Sequence, residues 1–521
     1  MNAATTTESF CSVLWPAALA DAVTLVEAEP DSFHDLNLDQ LLRSIDSHWQ
    51  EEKLAPFFYT PVSDLKTIAY RQAVFRDVGQ PAIHGALQRF VTTMREARTH
   101  LLDAAKLDHE PESDRACLAA ATAYIGAVEA LTRDLATLPI TAGAFAALHA
   151  YLSAYLADPG FTALRSDVRA CIGALTAIRY GLVFHGDSLT VRPWKDEAEA
   201  CPAIEALFDR FRERDAKDYR IKPSLRSGVG LNHIAAQVLD KVALLNPTAF
   251  AALHAFPSNH PDFIDARIAR LARELGFYLG WTQFVAPLQA AKLPLCQPSL
   301  ETTGQSVAAS DAFDVVLAAH QCKNQVRVVG NSFELGAGES MIVVSGPNHG
   351  GKTTFARMFG QLHWLAALGC SPIPGTAAHL RLFDHLYTHF GREEDSASGR
   401  GKLQDELVRM HAILEHATAR SVLVINEIFS STTLADALSL GKQVMTQVTD
   451  CGALGVCVTF LTELADFDPH TVSMVAGVDP QDPAVRTFKV ERRTADGLAY
   501  ALAVAEKHRV THDWLLRRIA P

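Results

Sequence analysis

The 521-residue chain has no C-x-x-C pair, no excess of positive charge and no apolar run long enough to cross a bilayer, and each absence removes a class of function. Its nine cysteines (Cys11, Cys117, Cys171, Cys201, Cys296, Cys322, Cys370, Cys451, Cys457) are scattered and odd in number, which suits a reducing cytoplasm and suggests no metal. A formal net charge of -12 argues against a generic nucleic-acid coat, so any DNA contact must be local. The apolar stretch Phe10 to Leu25 contains Asp21, lacks a basic leader and is too short for a membrane span; it reads as a packed helix. No internal repeat or low-complexity tract is visible. What is there is an ordinary globular composition, 48% hydrophobic and 20% charged. The chain is too long for one core, so two to four structural units are expected.

The texture changes once along the chain. Up to about Ala290 it is amphipathic helix, with Leu65, Ala69, Ala73 and Val74, and then Leu87, Phe90, Val91 and Met94, at helical spacing. One interruption, Ile178 to Trp194, places two β-rich runs around Gly186-Asp187 and predicts a hairpin between two helical arms. Leu207 to Arg226 follows with seven basic residues (Arg210, Arg212, Arg214, Lys217, Arg220, Lys222, Arg226) against four acidic ones, a pattern that suits a solvated helix or a local basic surface. From about Pro294 short apolar strands alternate with helices, as in an α/β domain. Strands are expected at Met341 to Ser345, Leu380 to Phe390, Ser421 to Asn426 and Gly455 to Phe460, and two short helices across Leu498 to Ile519. The fold class is therefore multidomain: an α-helical part (1–290) with a short β-hairpin insertion (178–194), then an α/β domain (291–521) that holds a P-loop motif.

The most informative stretch is Met341 to Thr354, MIVVSGPNHGGKTT, a buried strand, a glycine loop and a helix start. Gly346, Pro347, Asn348, His349, Gly350, Gly351, Lys352 and Thr353 fit G-x-x-x-x-G-K-[ST], with Thr354 next. Such glycines let backbone N–H groups curl around phosphates, Lys352 reaches the β and γ phosphates of ATP, and Thr353 offers a hydroxyl to Mg²⁺. Phe355, Phe359 and Leu362 continue at helical spacing. His349 shapes the outer edge of the loop rather than the chemistry. Downstream, Ser421 to Glu427 has the form of a Walker B strand, in which an aspartate normally holds the metal through water and the next glutamate polarises the attacking water. Here the metal position is Asn426, neutral, and Glu427 remains as the base. An amide oxygen supplies a ligand without formal charge, so weaker Mg²⁺ binding or slower turnover is expected.

These residues resemble the MutS family of DNA mismatch-repair ATPases, whose loop is GPNMGGKST-like and whose Walker B segment is DEIGRGTS-like; here they stand as GPNHGGKTT and NEIFSSTT. The resemblance continues through Asp384 to Thr388, Asp395 to Arg400 (an acidic, A-S-G-R turn), Asp436 to Leu440 and Gly497 to Ala505, and reaches weakly back to Thr60-Pro61-Val62. It implies an ABC/MutS-type ATPase domain that dimerises so that the partner subunit completes each site, helical lever arms, and a DNA-facing clamp, much reduced here to the 178–194 hairpin. No counterpart of the family's mismatch-reading domain with its Phe-x-Glu wedge is found, so mismatch specificity is not implied. With Ile519 so near Pro521, dimerisation is expected to rest on the ATPase faces.

Three departures fall in the implied site. Where the family places serine and threonine after A-S-G-R, this chain has Gly401-Lys402, which makes Ser398 and Lys402 candidates for reaching the partner's γ phosphate; a solvent-exposed lysine at a helix start is the equal alternative. Thr459-Phe460 stands where the family has Thr-His, so a phosphate-sensing imidazole is missing, and Asn426 is the third. Together they imply slow hydrolysis. The leading reading is an ATP- and Mg²⁺-dependent DNA clamp serving repair or recombination control, homodimeric through its ATPase domains, cytoplasmic, without membrane contact and with a repair-protein partner. The alternative is a nucleotide-gated interaction scaffold with little or no turnover.

Overall fold

Short apolar runs without polar alternation are buried on both faces, which is the condition of parallel strands covered by helices. Five such runs form one sheet in the computed structural model: β1 (Met341–Ser345), β2 (Leu386–Phe390), β3 (Val422–Asn426), β4 (Leu454–Val458) and β5 (Thr471–Val478), with β6 (Arg486–Arg492) at the edge. The spatial order is β2-β3-β4-β1-β5-β6, all neighbours parallel except β5 and β6. Helices α1 (Lys352–Ala367), α2 (Lys402–His416) and α3 (Leu434–Asp450) are the crossovers that parallel pairing demands. All of β1 and β4 is buried, and so is nearly all of α1. The structure describes residues 10–20, 22–185, 188–195, 231, 233–303, 306–391, 401–482, 485–495, 511, 512, 514 and 518.

A second sheet has the order Ser299–Glu301, Ala377–Arg381, Val307–Ala312, Asn331–Leu335. The Asn331 amide stitches it to β6, donating to the Phe488 carbonyl (3.1 Å) and accepting from the Val490 N–H (2.8 Å). The single strand expected over Leu380 to Phe390 is thereby divided between two sheets. Asp384 breaks it, its carboxylate accepting from the Ser421 hydroxyl (3.0 Å) and its own neighbour's N–H at His385 (2.6 Å), which turns the chain before β2 begins. Strands β5 and β6 were not among those expected.

The helix expected over Phe10 to Leu25 is also absent; its described residues form bends and turns. Residues 12–15 are nonetheless packed, because the buried Glu274 carboxylate accepts from the Ser12 hydroxyl and the Val13 N–H (each 2.9 Å), while Ser12 Oγ accepts from the N–H groups of Leu14 and Trp15 (3.0 Å). A serine that binds the backbone ahead of it offers an alternative to helix, and Pro16 follows.

The chain divides into two compact units, Met1–His84, Pro139–Ala147 and Arg273–Pro521 in one, Gly85–Leu138 and Leu148–Ala272 in the other. The boundary expected at residue 290 does not coincide with this division, because the first helices pack on the α/β sheet. Arg357 Nε donates to the Asp35 carbonyl (2.9 Å), Gln361 Nε2 to the Leu36 carbonyl (2.9 Å) and Trp364 Nε1 to the Phe58 carbonyl (3.0 Å). Leu36 lies so close to α1 that a Cβ at Gly360 would stand 2.6 Å from its Cδ2.

The second unit contains the helices Glu110–Thr137, Pro159–Thr176, His233–Leu245 and Pro247–Asn259. They are tied by His109 to Asp240 (2.9 Å), His254 to Asp114 (3.0 Å) and His260 to Asp167 (2.9 Å). In the same unit Tyr180–His185 pairs antiparallel with Ser188–Pro193, Leu182 opposite Val191. Gly186 and Asp187, the basic stretch Leu207 to Arg226 and the A-S-G-R turn with Ser398 lie outside the described residues, as does most of Leu498 to Ile519. No described helix is long and apolar enough to cross a membrane.

His363 on α1 yields a pH prediction. Its ring Nδ1 faces the Phe359 carbonyl (2.8 Å), its Nε2 is buried without a partner, and burial pulls its pKa from 6.5 to about 4. The unfolded chain therefore binds the proton first, so stability from the neutral ring is present above pH 6.5 and is lost as pH falls toward 4. Urea denaturation at pH 7.5 and 5 should show a loss of which about 2 kcal/mol vanishes in His363→Met.

Candidate nucleotide site

A parallel sheet delivers the residues that follow each strand to one edge. Phe390, Asn426, Val458, Val344 and Met474 lie side by side in register, so the loop after β1, the turn after β3 and the residues after β4 meet at that edge. The loop after β1 is shaped by left-handed backbone: Gly346 (φ 115°), His349 (φ 60°) and Gly351 (φ 92°), the last capping α1. At Gly346 only glycine fits, since a Cβ would stand 2.9 Å from the Ala476 carbonyl oxygen and 3.0 Å from its nitrogen. Arg486 of β6 pins the loop's tip by donating to the Asn348 carbonyl (3.1 Å). The loop thus presents backbone N–H groups at the N-terminus of a 16-residue helix, where an anion is stabilised by both unpaired donors and the helix dipole.

Lys352, the first residue of α1, is only 5% exposed. Its ammonium donates to the Gly346 (2.9 Å) and Pro347 (3.0 Å) carbonyls and sits 4.4 Å from the centroid of the Phe460 ring. Burial pulls its pKa below that of an ordinary lysine, with the Glu427 charge opposing the shift. Thr353 Oγ1 donates to Asn426 Oδ1 (3.1 Å), so the two residues expected to address a metal are neighbours. Glu427 leaves β3 with φ 58°, its N–H bound to the Val458 carbonyl (2.8 Å), and lines the same cavity as the loop.

That cavity has a volume of about 870 Å³. The loop lines it together with Lys352, Glu427 and Phe460, and the rest of the wall mixes Phe313, Leu317, Val326, Val329 and Phe488 with the polar Asp314, Gln321, Arg327 and Asn331. A loop rich in N–H donors beside a wall that offers both apolar faces and polar groups has the dimensions and chemistry that a nucleotide requires. The donor set also fits Mg²⁺, which prefers oxygen ligands: the Thr353 hydroxyl and the Asn426 amide oxygen stand together, with the Glu427 carboxylate on the next residue.

Of the residues singled out in the sequence, Asn348 to Thr354 and Glu427 line one cavity, Gly346 and Pro347 hold Lys352, and Asn426 touches Thr353. Lys402 is the first residue of α2 and is not among the residues that line the cavity. Sequence reasoning missed Phe488, Arg486 and the 313–329 wall. Phe488 sits in an alternating strand that reads as ordinary edge, and the wall is assembled from a different sheet region. The Thr-Phe pair was legible as a departure, but not that its ring covers Lys352.

The family profile of MutS domain V matches residues 342–514. The chain is 30% identical over 178 residues to the DNA mismatch repair protein MutS of Lactobacillus acidophilus, 33% of this chain and 20% of that protein. It is 30% identical over 176 residues to the DNA mismatch repair protein MutS 2 of Halobacterium salinarum, 34% of this chain and 19% of that protein. Residues 342–514 are thus similar to MutS domain V, the part that this chain shares with those mismatch repair proteins. The alignments span about a fifth of the length of those relatives, and the cavity's phosphate end lies within the matched region.

Gly346→Ala should cost on the order of 2 kcal/mol in urea denaturation, because the left-handed backbone and the contact with Ala476 cannot both be kept with a Cβ. A stability equal to wild type would mean that the loop relaxes freely.

Proposed function

We propose that this protein is an ATP-dependent DNA-binding member of the MutS family, in which ATP binding and slow hydrolysis gate a homodimeric clamp on DNA, in repair or recombination control. The observation that carries the reading is the meeting, at one strand edge inside the matched domain, of the phosphate loop, the Thr353–Asn426 pair and Glu427. Lys352, released from the Gly346 and Pro347 carbonyls, would neutralise the β and γ phosphates, and the loop N–H groups would bind the remaining oxygens. Thr353 and Asn426 would hold Mg²⁺, which when bound offsets phosphate charge. Glu427 would orient and deprotonate the attacking water. The apolar faces of the wall beside Phe488 would take the base.

DNA would be held through its backbone, with the basic stretch 207–226 as the sequence candidate and the Tyr180–Pro193 hairpin as a reduced clamp. Lys402 and Ser398 would face the partner's γ phosphate in a dimer formed by the ATPase domains. The free cysteines suit a reducing cytoplasm. A second reading, a nucleotide-gated protein-interaction scaffold with little turnover, is favoured by the neutral Asn426 and by the Phe460 ring over Lys352.

Two measurements separate these. Lys352→Ala should lose ATP binding, whereas Glu427→Gln should bind ATP and hydrolyse it about 100-fold more slowly; Asn426→Asp should lower the Mg²⁺ needed for half-maximal turnover several-fold, to about a third or less. Glu427→Gln at the original rate sinks the assignment of the base. Fluorescence anisotropy with homoduplex, mismatched and branched DNA, in ADP, a non-hydrolysable ATP analogue or neither, should reveal binding that weakens steeply with salt and responds to nucleotide. No binding in any state at low salt would leave the scaffold reading.

A further inference from the structure

Helix α2 carries a buried carboxylate to which the reading above gives no task. Glu406 is 1% exposed, and neither of its oxygens completes a hydrogen bond. Facing it are the Phe429 N–H and the Ser431 hydroxyl, from the turn after β3, and Lys402 and Arg409 from its own helix. Burial pushes the carboxyl above the usual glutamate range while those four groups pull it back. A desolvated, incompletely compensated carboxylate is unfavourable in itself, and such groups are enriched at functional sites.

The neighbouring segment needs it. The turn that follows β3 has two residues other than glycine in the left-handed region, Glu427 (φ 58°) and Phe429 (φ 56°), a conformation their own side chains disfavour. Such a turn persists only if its surroundings over-determine it. Part of that work is done by Phe429, fully buried among Ile425, Ile428 and Met410, the last also from α2. The polar side of the turn meets Glu406.

We propose that Glu406 is a positioning residue, whose carboxylate charge, facing the Phe429 N–H and the Ser431 hydroxyl, steadies the turn after β3 so that its left-handed backbone keeps Glu427 at the cavity. Lys402 stands one helical turn before Glu406 on α2, so displacement of that helix start is passed to the turn that carries Glu427. The proposal rests on Glu427 being the base, and its failure can be told apart from the failure of that assignment.

The test compares wild type, Glu406→Ala, Glu406→Gln and Ser431→Ala as full chains, by steady-state ATP hydrolysis, titration with a fluorescent ATP analogue and thermal melting. Glu406→Ala should lower kcat about tenfold or more with KM and nucleotide affinity within about twofold. Glu406→Gln, which keeps a carbonyl oxygen facing the Phe429 N–H, should retain about a third or more of the wild-type kcat. Ser431 is exposed, so Ser431→Ala should melt as wild type yet lose about two- to threefold in kcat. Wild-type kcat in both Glu406→Ala and Ser431→Ala overturns the proposal. So does a loss in Glu406→Ala of melting temperature and ATP affinity together with kcat, while Ser431→Ala is silent, since that marks a role in the fold alone. A wild type without turnover strikes the assignment of Glu427 instead.

Discussion

The site depends on strand register. Because β2, β3, β4, β1 and β5 run in the same direction with Phe390, Asn426, Val458, Val344 and Met474 side by side, whatever follows each strand arrives at the same edge. A slip of one residue in β3 would carry the Asn426 side chain to the other face of the sheet and separate it from Thr353. The buried, uninterrupted apolar strands leave little room for such a slip, since every residue of β1 and β4 has neighbours on both faces. Core packing and chemical placement are here one requirement.

At that edge the chain leaves regular structure through left-handed backbone, and the residues chosen differ in kind. Gly346 and Gly351 adopt it freely, and Gly346 has the further reason of its approach to Ala476. His349, Glu427, Phe429 and Phe488 adopt it against a steric cost on the order of 1 kcal/mol each. Phe429 offsets that cost by burial in the core, and Phe488 by a carbonyl held by the Asn331 amide, so the strain at the site is supported by packing elsewhere in the same unit.

What could be read beforehand follows from how local each signal is. The loop and its flanks are contiguous, so β1, the glycines, Lys352 and the start of α1 were legible in Met341 to Thr354. The strand Val422–Asn426 was legible because its polar residue ends an unbroken apolar run. The division of Leu380 to Phe390 was not, because Asp384 breaks it through partners some 37 residues away in sequence, such as Ser421. Phe10 to Leu25 misled for a similar reason: its conformation is set by Glu274, a residue 262 positions from Ser12. The rest of the cavity's wall and the company of Glu406 are likewise assembled from separate segments, and no spacing rule reports them.

The charge balance of the site bears on what a neutral residue at 426 does. Lys352 is held in low-dielectric surroundings beside Phe460, Arg486 lies close enough to lower its pKa further, and Glu427 is the carboxylate that offsets them. On the proposed reading a second carboxylate at 426 would repel the phosphates unless a cation stood between them. An amide there removes that repulsion, while its oxygen stays engaged with the Thr353 hydroxyl. On that reading the exchange favours holding a polyanion over polarising it: ATP binding would depend less on the cation, and the step in which charge moves onto the leaving phosphate would lose part of its stabilisation. On that reading, a site so composed suits a protein whose bound state, more than its turnover, sets the conformation, and it makes the position of Glu427 the quantity that the surrounding turn has to control.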